Sequence, residues 1–326
     1  MAFSDGPTAS WGAQIRSGDV RAISRAITAV ENGDAAVQSV LREIFPYTGC
    51  AWRIGVTGAA GVGKSTITNR LAAHYRAAGK TVGIVAVDPS SPFTGGAILG
   101  DRVRMQDHAT DPGVFIRSMA ARGAWGGLAD AAADAALVLD AAGKDIIFLE
   151  TIGVGQDEVE IVRIADCTLV VVVPGAGDEV QGLKAGLMEI ADIFVLNKSD
   201  LDGAAGFERE LSSVIELGQS SQEAHTKIVK TPIVKTTASE GKGIEDLASE
   251  IDSLCAQKCE AGQRRERETA YWRSRILHLV ERRIMAQVNA NASNRLDELA
   301  SSVASRAKDP YAAADEIIAA AFAELA

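Results

Sequence analysis

Apolar residues recur at helical spacing near the start of the chain. They stand three or four positions apart in two stretches: Ile23, Ile27 and Val30, followed by Val37, Leu41 and Ile44. This spacing places each set on one face of an amphipathic helix. Asp19 and Asp34 precede the two stretches, where N-caps are expected, and Asn32-Gly33 lies between them as a stop. We therefore predict a helical extension over residues 1–50 that packs on the rest of the protein.

From residue 52 onward, short apolar runs alternate with helix-patterned stretches. The runs cover residues 53–57, 81–87, 114–117, 145–149, 168–173, 193–196 and 233–236. Because they are apolar at successive positions, they predict strands that are buried on both faces of a parallel sheet. The stretches between them, among others 67–78, 128–142, 179–190 and 244–254, predict helices. This alternation is typical of a doubly wound α/β sheet, which binds ligands at the carboxyl ends of its strands.

The last part of the chain returns to helical spacing. Apolar residues repeat there in three pieces: Trp272, Ile276, Val280, Ile284 and Val288; Leu296, Leu299 and Val303; and Ile317, Ile318, Ala321, Phe322 and Leu325. Such stripes must be buried, either on the chain's own α/β domain or on a second subunit, and we favour the second subunit. The predicted organisation is thus an extension (1–50), an α/β domain (51–258) and a helical dimerisation arm (259–326).

One strand-to-helix turn carries a phosphate-binding motif. Residues 58–65 read GAAGVGKS and fit the pattern G-x-x-x-x-G-K-[ST], with a predicted strand before and a helix after. The glycines let successive backbone N–H groups point at phosphate, beside a helix N-terminus. Within this loop Lys64 would reach the β- and γ-phosphates as a catalytic group, and the Ser65 hydroxyl would ligate Mg²⁺. We assign nucleotide binding to Gly58, Ala59, Ala60, Gly61, Val62, Gly63, Lys64, Ser65 and Thr66.

A second motif selects guanine over adenine. Residues 197–200 read NKSD, follow a predicted strand and fit the pattern N-K-x-D. The Asp200 carboxylate can accept hydrogen bonds from the N1 and exocyclic N2 groups of guanine, a pair of donors that adenine lacks. A buried carboxylate left unpaired costs about 1–3 kcal/mol or more, which disfavours the wrong base. We therefore predict GTP and GDP as ligands, bound by Asn197, Lys198 and Asp200 and by a backbone contact from Thr237, Ala238 and Ser239.

Three carboxylates at or after predicted strand ends are candidate Mg²⁺ ligands. Glu150 ends a strand and leads into Gly153, where many GTPases carry D-x-x-G; we expect Glu150 to organise the metal and the Gly153 N–H to sense the γ-phosphate. Asp88 ends another strand, and Asp101 follows a loop with two glycines. A capping role for Glu150, and an N-cap or surface ion pair for Asp101, are the alternatives.

Several further polar residues are candidates for phosphoryl transfer. Gln156 could orient the attacking water, although it is offset from the position where Ras-like GTPases carry their glutamine. Four arginines could stabilise charge or contact a partner, and could equally be solvated surface residues. They are Arg102, Arg104, Arg117 and Arg122.

The glycine-rich segment 174–184 follows a fully apolar predicted strand. Its position favours a mobile element beside the nucleotide, with a plain loop before a helix as the alternative. The candidate residues in it are Asp178, Glu179, Gln181 and Lys184. We count Lys184 among the catalytic candidates as well.

Composition and charge narrow the range of partners. The chain has 326 residues and a formal net charge of -10, which argues against nucleic acid because phosphate contacts need Lys or Arg. No apolar run is long enough for a membrane-spanning helix, and no secretory signal is visible. The four cysteines predict reduced thiols in a cytoplasmic protein. Cys255 and Cys259 stand four residues apart on a predicted helix, but without a neighbouring His two plain thiols are preferred to a metal site.

These motifs together resemble the MeaB/ArgK family of GTPases. Besides the two nucleotide motifs, the resemblance rests on VDPSS at 87–91, TGGAILGD at 94–101, ETIGVGQ at 150–156 and PGAGD at 174–178, and it covers nearly the whole chain. Ala59 and Ala60 depart from the more usual Pro-containing start of the P-loop, without a change of charge. The implied fold is a P-loop GTPase with a mostly parallel sheet flanked by helices and helical extensions at both ends.

The resemblance also implies a function. Members of this family are GTPase chaperones of adenosylcobalamin-dependent acyl-CoA mutases, chiefly methylmalonyl-CoA mutase; they gate cofactor delivery and protect or reactivate the mutase. They are typically homodimers through the C-terminal helices. The resemblance implies Mg²⁺ and GTP or GDP in this chain and adenosylcobalamin only through the partner mutase. It places Asp178, Gln181 and Lys184 in a switch that couples nucleotide state to the partner.

Three other functions remain as alternatives at this stage. A nickel-insertion GTPase shares the fold but usually carries His-rich or Cys/His clusters, whereas this chain has four scattered His. A signal-recognition GTPase should show a Met-rich domain, and only five Met occur. A P-loop kinase, which is the older transport-system kinase label of the family, is disfavoured by the guanine motif.

Overall fold

A single parallel sheet forms the centre of the α/β domain. The computed structural model describes residues 10–88, 108, 110–120, 127–151, 164–175, 190–220 and 231–322. Within them, the sheet has the order β3-β2-β4-β1-β5-β6-β7, and each neighbouring pair is parallel. The strands are β1 (Trp52–Thr57), β2 (Val82–Asp88), β3 (Val114–Ala120), β4 (Ile146–Glu150), β5 (Cys167–Val172), β6 (Ile193–Leu196) and β7 (Ile233–Lys235). The predicted doubly wound sheet is confirmed.

Helices precede the sheet, connect its strands and follow it. In the described residues they are α1 (Trp11–Arg16), α2 (Val20–Glu31), α3 (Val37–Ile44), α4 (Lys64–Ala77), α5 (Gly127–Ala141), α6 (Ala204–Ser220), α7 (Ile244–Glu260), α8 (Gln263–Ala304) and α9 (Pro310–Phe322). A 3₁₀ turn, Phe45–Tyr47, follows α3. The predicted helix over 179–190 lies outside the described residues, apart from Ile190.

Both faces of the central strands are buried, as their uninterrupted apolar runs require. Leu169 and Val171 of β5 belong to the core under α4 and α7. Val170 and Val172 of the same strand face the opposite way and pack against α6. The alternation of side chains along a strand thus places helices on both faces, and the carboxyl ends of the strands are left for the connecting loops.

The N-terminal helices α1, α2 and α3 pack against α5, as the sequence predicts for this extension. Asp19 caps α2 by accepting a hydrogen bond from the Ala22 N–H at 2.6 Å. The prediction of Asp34 as the cap of α3 was wrong. That helix begins at Val37 after Ala36, and the Asp34 carboxylate instead accepts the Ala36 N–H in the preceding turn.

The C-terminal part forms a long helix instead of separate short pieces. Helix α8 runs for 42 residues because no Gly or Pro interrupts residues 263–304. Contacts group the chain into two compact units, Met1–Arg264 and Arg265–Ala326. The predicted boundaries at 50 and 258 remain a prediction. Among the described residues, no helix is both long and apolar enough to cross a membrane.

Candidate nucleotide-binding site

The P-loop connects the carboxyl end of β1 to the first residue of α4. All three of its glycines have positive φ, which is 137° at Gly58, 80° at Gly61 and 101° at Gly63. A Cβ at Gly58 would lie 2.2 Å from the Val171 carbonyl oxygen, and one at Gly63 would lie 2.3 Å from Nδ2 of Asn197. Only glycine combines these backbone angles with such close approach. The loop is therefore pressed against β5 on one side and against the N-K-x-D segment on the other.

Lys64 is a buried cation held over the loop that it follows. Its Nζ donates hydrogen bonds to the carbonyl oxygens of Gly58 at 2.7 Å and Ala59 at 2.8 Å, and the residue is 6% exposed. The flexible side chain of Lys64 can move its ammonium group from these carbonyl oxygens to phosphate oxygens bound in the same loop. The Lys64 ammonium group is thus buried and preorganised for the phosphate-binding role that the sequence predicts.

Ser65 and Glu150 bring two oxygen donors together at the start of α4. The Ser65 hydroxyl donates to a carboxylate oxygen of Glu150, which is buried at the end of β4. Strand β4 is held beside β1 here, since the Thr151 N–H donates to the Val56 carbonyl oxygen at 3.0 Å. Hydroxyl and carboxylate oxygens are the hard ligands that Mg²⁺ prefers. The donor set fits Mg²⁺, and the backbone places Asp88 at the same edge, at the end of β2.

Asn197 joins the N-K-x-D segment to two other loops. Its side-chain Nδ2 donates to the Val62 carbonyl oxygen at 2.8 Å, across to the P-loop. Its Oδ1 accepts from the Thr236 hydroxyl and from the Ala238 N–H, both at 3.1 Å. A buried amide with donors and acceptors engaged on both sides fixes the loops relative to one another. Asn197 therefore supports the site and connects its phosphate end to its base end.

Lys198 and Asp200 continue this arrangement at the surface. Lys198 has a positive φ of 54°, and its Nζ donates to the Gly61 carbonyl oxygen at 3.1 Å. One Asp200 oxygen accepts from the Thr237 hydroxyl at 3.2 Å. The Thr237 contact orients the carboxylate, as recognition of two neighbouring donors on a base requires.

The nucleotide motifs therefore converge at the carboxyl edge of one parallel sheet. The sequence model of the family described as "Methylmalonyl Co-A mutase-associated GTPase MeaB" matches residues 23–293. The chain belongs to the MeaB family. Proteins of this family are GTPases, and this MeaB-family protein hydrolyses GTP.

Relatives of this MeaB-family protein extend over most of its length. It is 46% identical over 306 residues to a protein of Pyrococcus abyssi that is named as a GTPase, with 94% of each chain covered. It is 42% identical over 193 residues to GTPase ArgK of Escherichia coli, with 58% of each covered. It is 36% identical over 203 residues to the mitochondrial methylmalonic aciduria type A homolog of Caenorhabditis elegans, with 58% of this chain and 51% of the relative covered.

A solved structure shares the fold. The crystal structure of a LAO/AO transport system kinase superposes with a TM-score of 0.71 at 24% identity, and covers 97% of this chain and 98% of its own. At this identity the likeness shows the fold alone. The fold of the MeaB-family protein is thus that of a P-loop GTPase, as its sequence predicts.

Several predicted site residues of this MeaB-family protein lie outside the described residues. They are Asp101, Arg102, Arg104, Arg122, Gly153, Gln156, Asp178, Glu179, Gln181 and Lys184, together with the side chain of Asp88. Arg117 is described, and its guanidinium pairs with the buried Glu31 and donates to the Thr28 hydroxyl at 2.9 Å. Its charge thus holds α2 to β3, a contact that the sequence did not indicate.

The cysteines form no metal site in the part of the chain that the structure describes, where no group of three or more His, Cys, Asp or Glu is arranged to hold an ion. Cys255 is buried and Cys259 is exposed. Cys255 lies beside Cys167 of β5. A hydrogen bond between the two thiols, which favours the protonated form of Cys167, and burial raise the pKa of the Cys167 thiol.

Two residues that sequence reasoning missed belong to the site. Thr236 donates its hydroxyl to Asn197; its place at the end of the last predicted strand, directly before Thr237, was the available signal. Arg70 lies on α4, and its guanidinium contacts the carbonyl oxygens of Ala238 and Ser239. No motif marks this arginine, because its partners lie 168 and 169 residues away along the chain.

Proposed function

We propose that this MeaB-family GTPase is a nucleotide-driven chaperone of an adenosylcobalamin-dependent acyl-CoA mutase, methylmalonyl-CoA mutase or a close relative. In this role it gates the loading of adenosylcobalamin and protects or reactivates the mutase. The observation that carries the proposal is the match of residues 23–293 to the family described as methylmalonyl Co-A mutase-associated. The name of the Caenorhabditis elegans relative, methylmalonic aciduria type A homolog, also refers to methylmalonate and supports the same class of partner mutase.

The site supplies what a nucleotide-driven device needs. Lys64 and the P-loop N–H groups would bind the β- and γ-phosphates, and Asp200 the base. Ser65 and Glu150, with Asp88 and Asp101 as further candidates, would hold Mg²⁺; when bound, the metal supplies positive charge that offsets charge on the phosphate oxygens. We assign Gln156 to orientation of the attacking water, and Gly153 to sensing of the γ-phosphate.

Coupling between nucleotide and mutase follows from linkage. A partner that binds the GTP form more tightly than the GDP form must raise the affinity for GTP over GDP by the same factor. We assign this coupling to the segment that holds Asp178, Glu179, Gln181 and Lys184. Adenosylcobalamin would be bound by the mutase and reach this protein only through that complex.

The first test measures this reciprocity with the mutase encoded in the same organism. We expect the mutase to bind the protein at least about 5-fold more tightly with a non-hydrolysable GTP analogue than with GDP. The affinity of the protein for the two nucleotides should shift by the same ratio when the mutase is added, and the mutase should raise the rate of GTP hydrolysis. Both can be measured by calorimetry and phosphate release.

A matched control separates the chemistry from the partner. Lys64→Ala should abolish the stimulated hydrolysis, whereas Lys80→Ala, at the other end of α4, should leave it unchanged. Equal mutase affinity in the two nucleotide forms, for every acyl-CoA mutase of the organism, would contradict the chaperone proposal. It would leave the GTPase activity intact.

We further propose that the protein is a homodimer through its C-terminal arm. Helix α8 presents an apolar stripe in which Ile276, Val280 and Ile284 are 58%, 46% and 40% exposed. Further along the same helix, Val288 is buried against α9. An uncovered stripe of large aliphatic side chains on a long helix is suited to a second copy of the same helix.

The dimer is tested by the molar mass in solution. We expect light scattering to report twice the chain mass for the wild type and the mass of one chain for the double variant Ile276→Lys, Ile284→Lys, because two charges would enter the apolar contact. Tyr311→Lys, which alters an exposed aromatic residue of α9, is the matched control and should remain dimeric. A wild-type protein of single-chain mass would refute the proposal.

A further inference from the structure

Arg70 connects the P-loop helix to the loop that follows the last strand of the sheet. Its Nε donates to the Ala238 carbonyl oxygen at 3.1 Å, and its Nη2 to the Ser239 carbonyl oxygen at 2.8 Å. We propose that Arg70 is a positioning residue for guanine recognition, which holds this loop, named here the base loop (residues 236–243), at the distance from the P-loop at which its N–H groups read the guanine carbonyl. The inference rests on the assignment of this site to GTP.

The base loop keeps its own shape through internal hydrogen bonds. The Thr237 N–H donates to the Lys242 carbonyl oxygen at 3.1 Å, and the Glu240 N–H donates to the Thr237 carbonyl oxygen at 2.9 Å. These bonds close a compact turn. They do not determine where that turn lies relative to the phosphate-binding loop, because both partners of each bond belong to the turn itself.

Contacts from outside the loop supply that position. The Thr236 and Thr237 hydroxyls contact Asn197 and Asp200, and two further contacts act at Ala238. Its N–H donates to Oδ1 of Asn197, whose amide also contacts the P-loop. Its carbonyl oxygen accepts from Arg70 on the other side. The amide and carbonyl groups of one residue are thus held by two different elements, one by the N-K-x-D segment and one by α4.

Arginine suits this task for a geometric reason. Its planar guanidinium offers N–H groups in a fixed fork, which can bind two successive carbonyl oxygens at once, and a charged donor makes the stronger hydrogen bond. In a trans peptide the C=O and the following N–H point in opposite directions. A fixed Ala238 carbonyl therefore also fixes the direction of the Ser239 N–H, away from Arg70.

The helix that carries Arg70 also carries the phosphate-binding residues. Helix α4 begins at Lys64, and six residues of α-helix advance by about 9 Å. A rigid element of this length sets the separation between the ammonium group at the phosphates and the guanidinium at the base loop. Arg70 thereby places the base subsite relative to the phosphate subsite without a contact to the nucleotide.

The experiment compares two nucleotides that differ at the base edge. GDP carries the O6 carbonyl and the N1–H group, and the 5′-diphosphate of 2-aminopurine riboside lacks both; each variant is therefore compared with the wild type for the same nucleotide. Their dissociation constants are measured by calorimetry for the wild type, Arg70→Ala, Arg70→Lys and Arg76→Ala. Arg76 is the matched control because it lies on α4 as well but pairs with Asp111 and the Lys80 carbonyl oxygen.

We expect Arg70→Ala to weaken GDP about 10-fold and the 2-aminopurine nucleotide less than about 2-fold, since only GDP uses the displaced N–H groups. Arg70→Lys, with one donor at a time in place, should fall between the wild type and Arg70→Ala. Arg76→Ala should leave the ratio of the two dissociation constants unchanged. A purely structural role for Arg70 would weaken both nucleotides equally.

Three results would overturn the proposal. They are equal weakening of both nucleotides by Arg70→Ala, no change in either, and a wild type that does not prefer GDP to the 2-aminopurine nucleotide. In each of these cases GDP binding by the wild type would still support the GTPase assignment. A wild type that binds neither nucleotide would refute that assignment together with the inference.

Discussion

Replacement of Lys64 by alanine is expected to lower the rate of GTP hydrolysis at least about 100-fold. Lys64 is the buried cation of the P-loop, and its Nζ lies at 2.7 and 2.8 Å from two loop carbonyl oxygens. Without it, the charge that develops on the β- and γ-phosphate oxygens loses a preorganised, buried cationic partner. The effect should be greater on hydrolysis than on GDP affinity, because the γ-phosphate is absent from GDP.

The measurement is phosphate release at saturating GTP, with GDP affinity determined in parallel. Lys80→Ala also removes a lysine side chain, just beyond the other end of α4, and should leave the rate unchanged. A Lys64→Ala variant that retains more than about a tenth of the wild-type rate would show that another group stabilises the transferred phosphate. Thermal unfolding of both variants would show whether the loop itself remains intact.

The second large effect concerns the choice of base. We expect Asp200→Asn to weaken GTP at least about 100-fold and to improve the binding of XTP. A carboxylate accepts both from N1–H and from the 2-amino group of guanine. An asparagine amide instead offers one acceptor and one donor, which matches the N1–H and the 2-oxo group of xanthine.

The structure indicates that this exchange should preserve the local geometry. One Asp200 oxygen accepts from the Thr237 hydroxyl at 3.2 Å, and the asparagine oxygen can accept the same bond. Hydrolysis rates with GTP and XTP as a function of nucleotide concentration test the prediction. Asp202→Asn, an exposed aspartate two residues further along the chain, is the control of equal charge change. A variant with the wild-type preference for GTP would place base recognition elsewhere.

Much of the fold and the two ends of the site could be predicted from local sequence. The uninterrupted apolar runs identified the strands because parallel strands covered on both faces have few polar positions. The P-loop and the N-K-x-D segment were recognisable because each binds its ligand through consecutive residues. Asp19 was correctly predicted as a cap. Asp34 was not, because a turn precedes α3 and the Asp34 carboxylate accepts the Ala36 N–H within that turn.

The arm illustrates a different limit. Its apolar spacing predicted helices, but it suggested separate pieces where the structure has the single helix α8. Spacing reports which face is apolar, and it is insensitive to whether a polar stretch between two apolar pieces interrupts the helix.

The sequence by itself determined the chemistry of this protein: a phosphate-binding loop, a guanine motif and the family to which the chain is similar. The tertiary structure decided which distant residues complete the site. Glu150 meets Ser65 because β4 lies beside β1, and Asn197 reaches Val62 across the sheet edge. Arg70 meets the base loop because α4 and α7 cover the same face of the sheet. The physical reason is that strand order places these groups, and no short motif encodes the order in which strands pair.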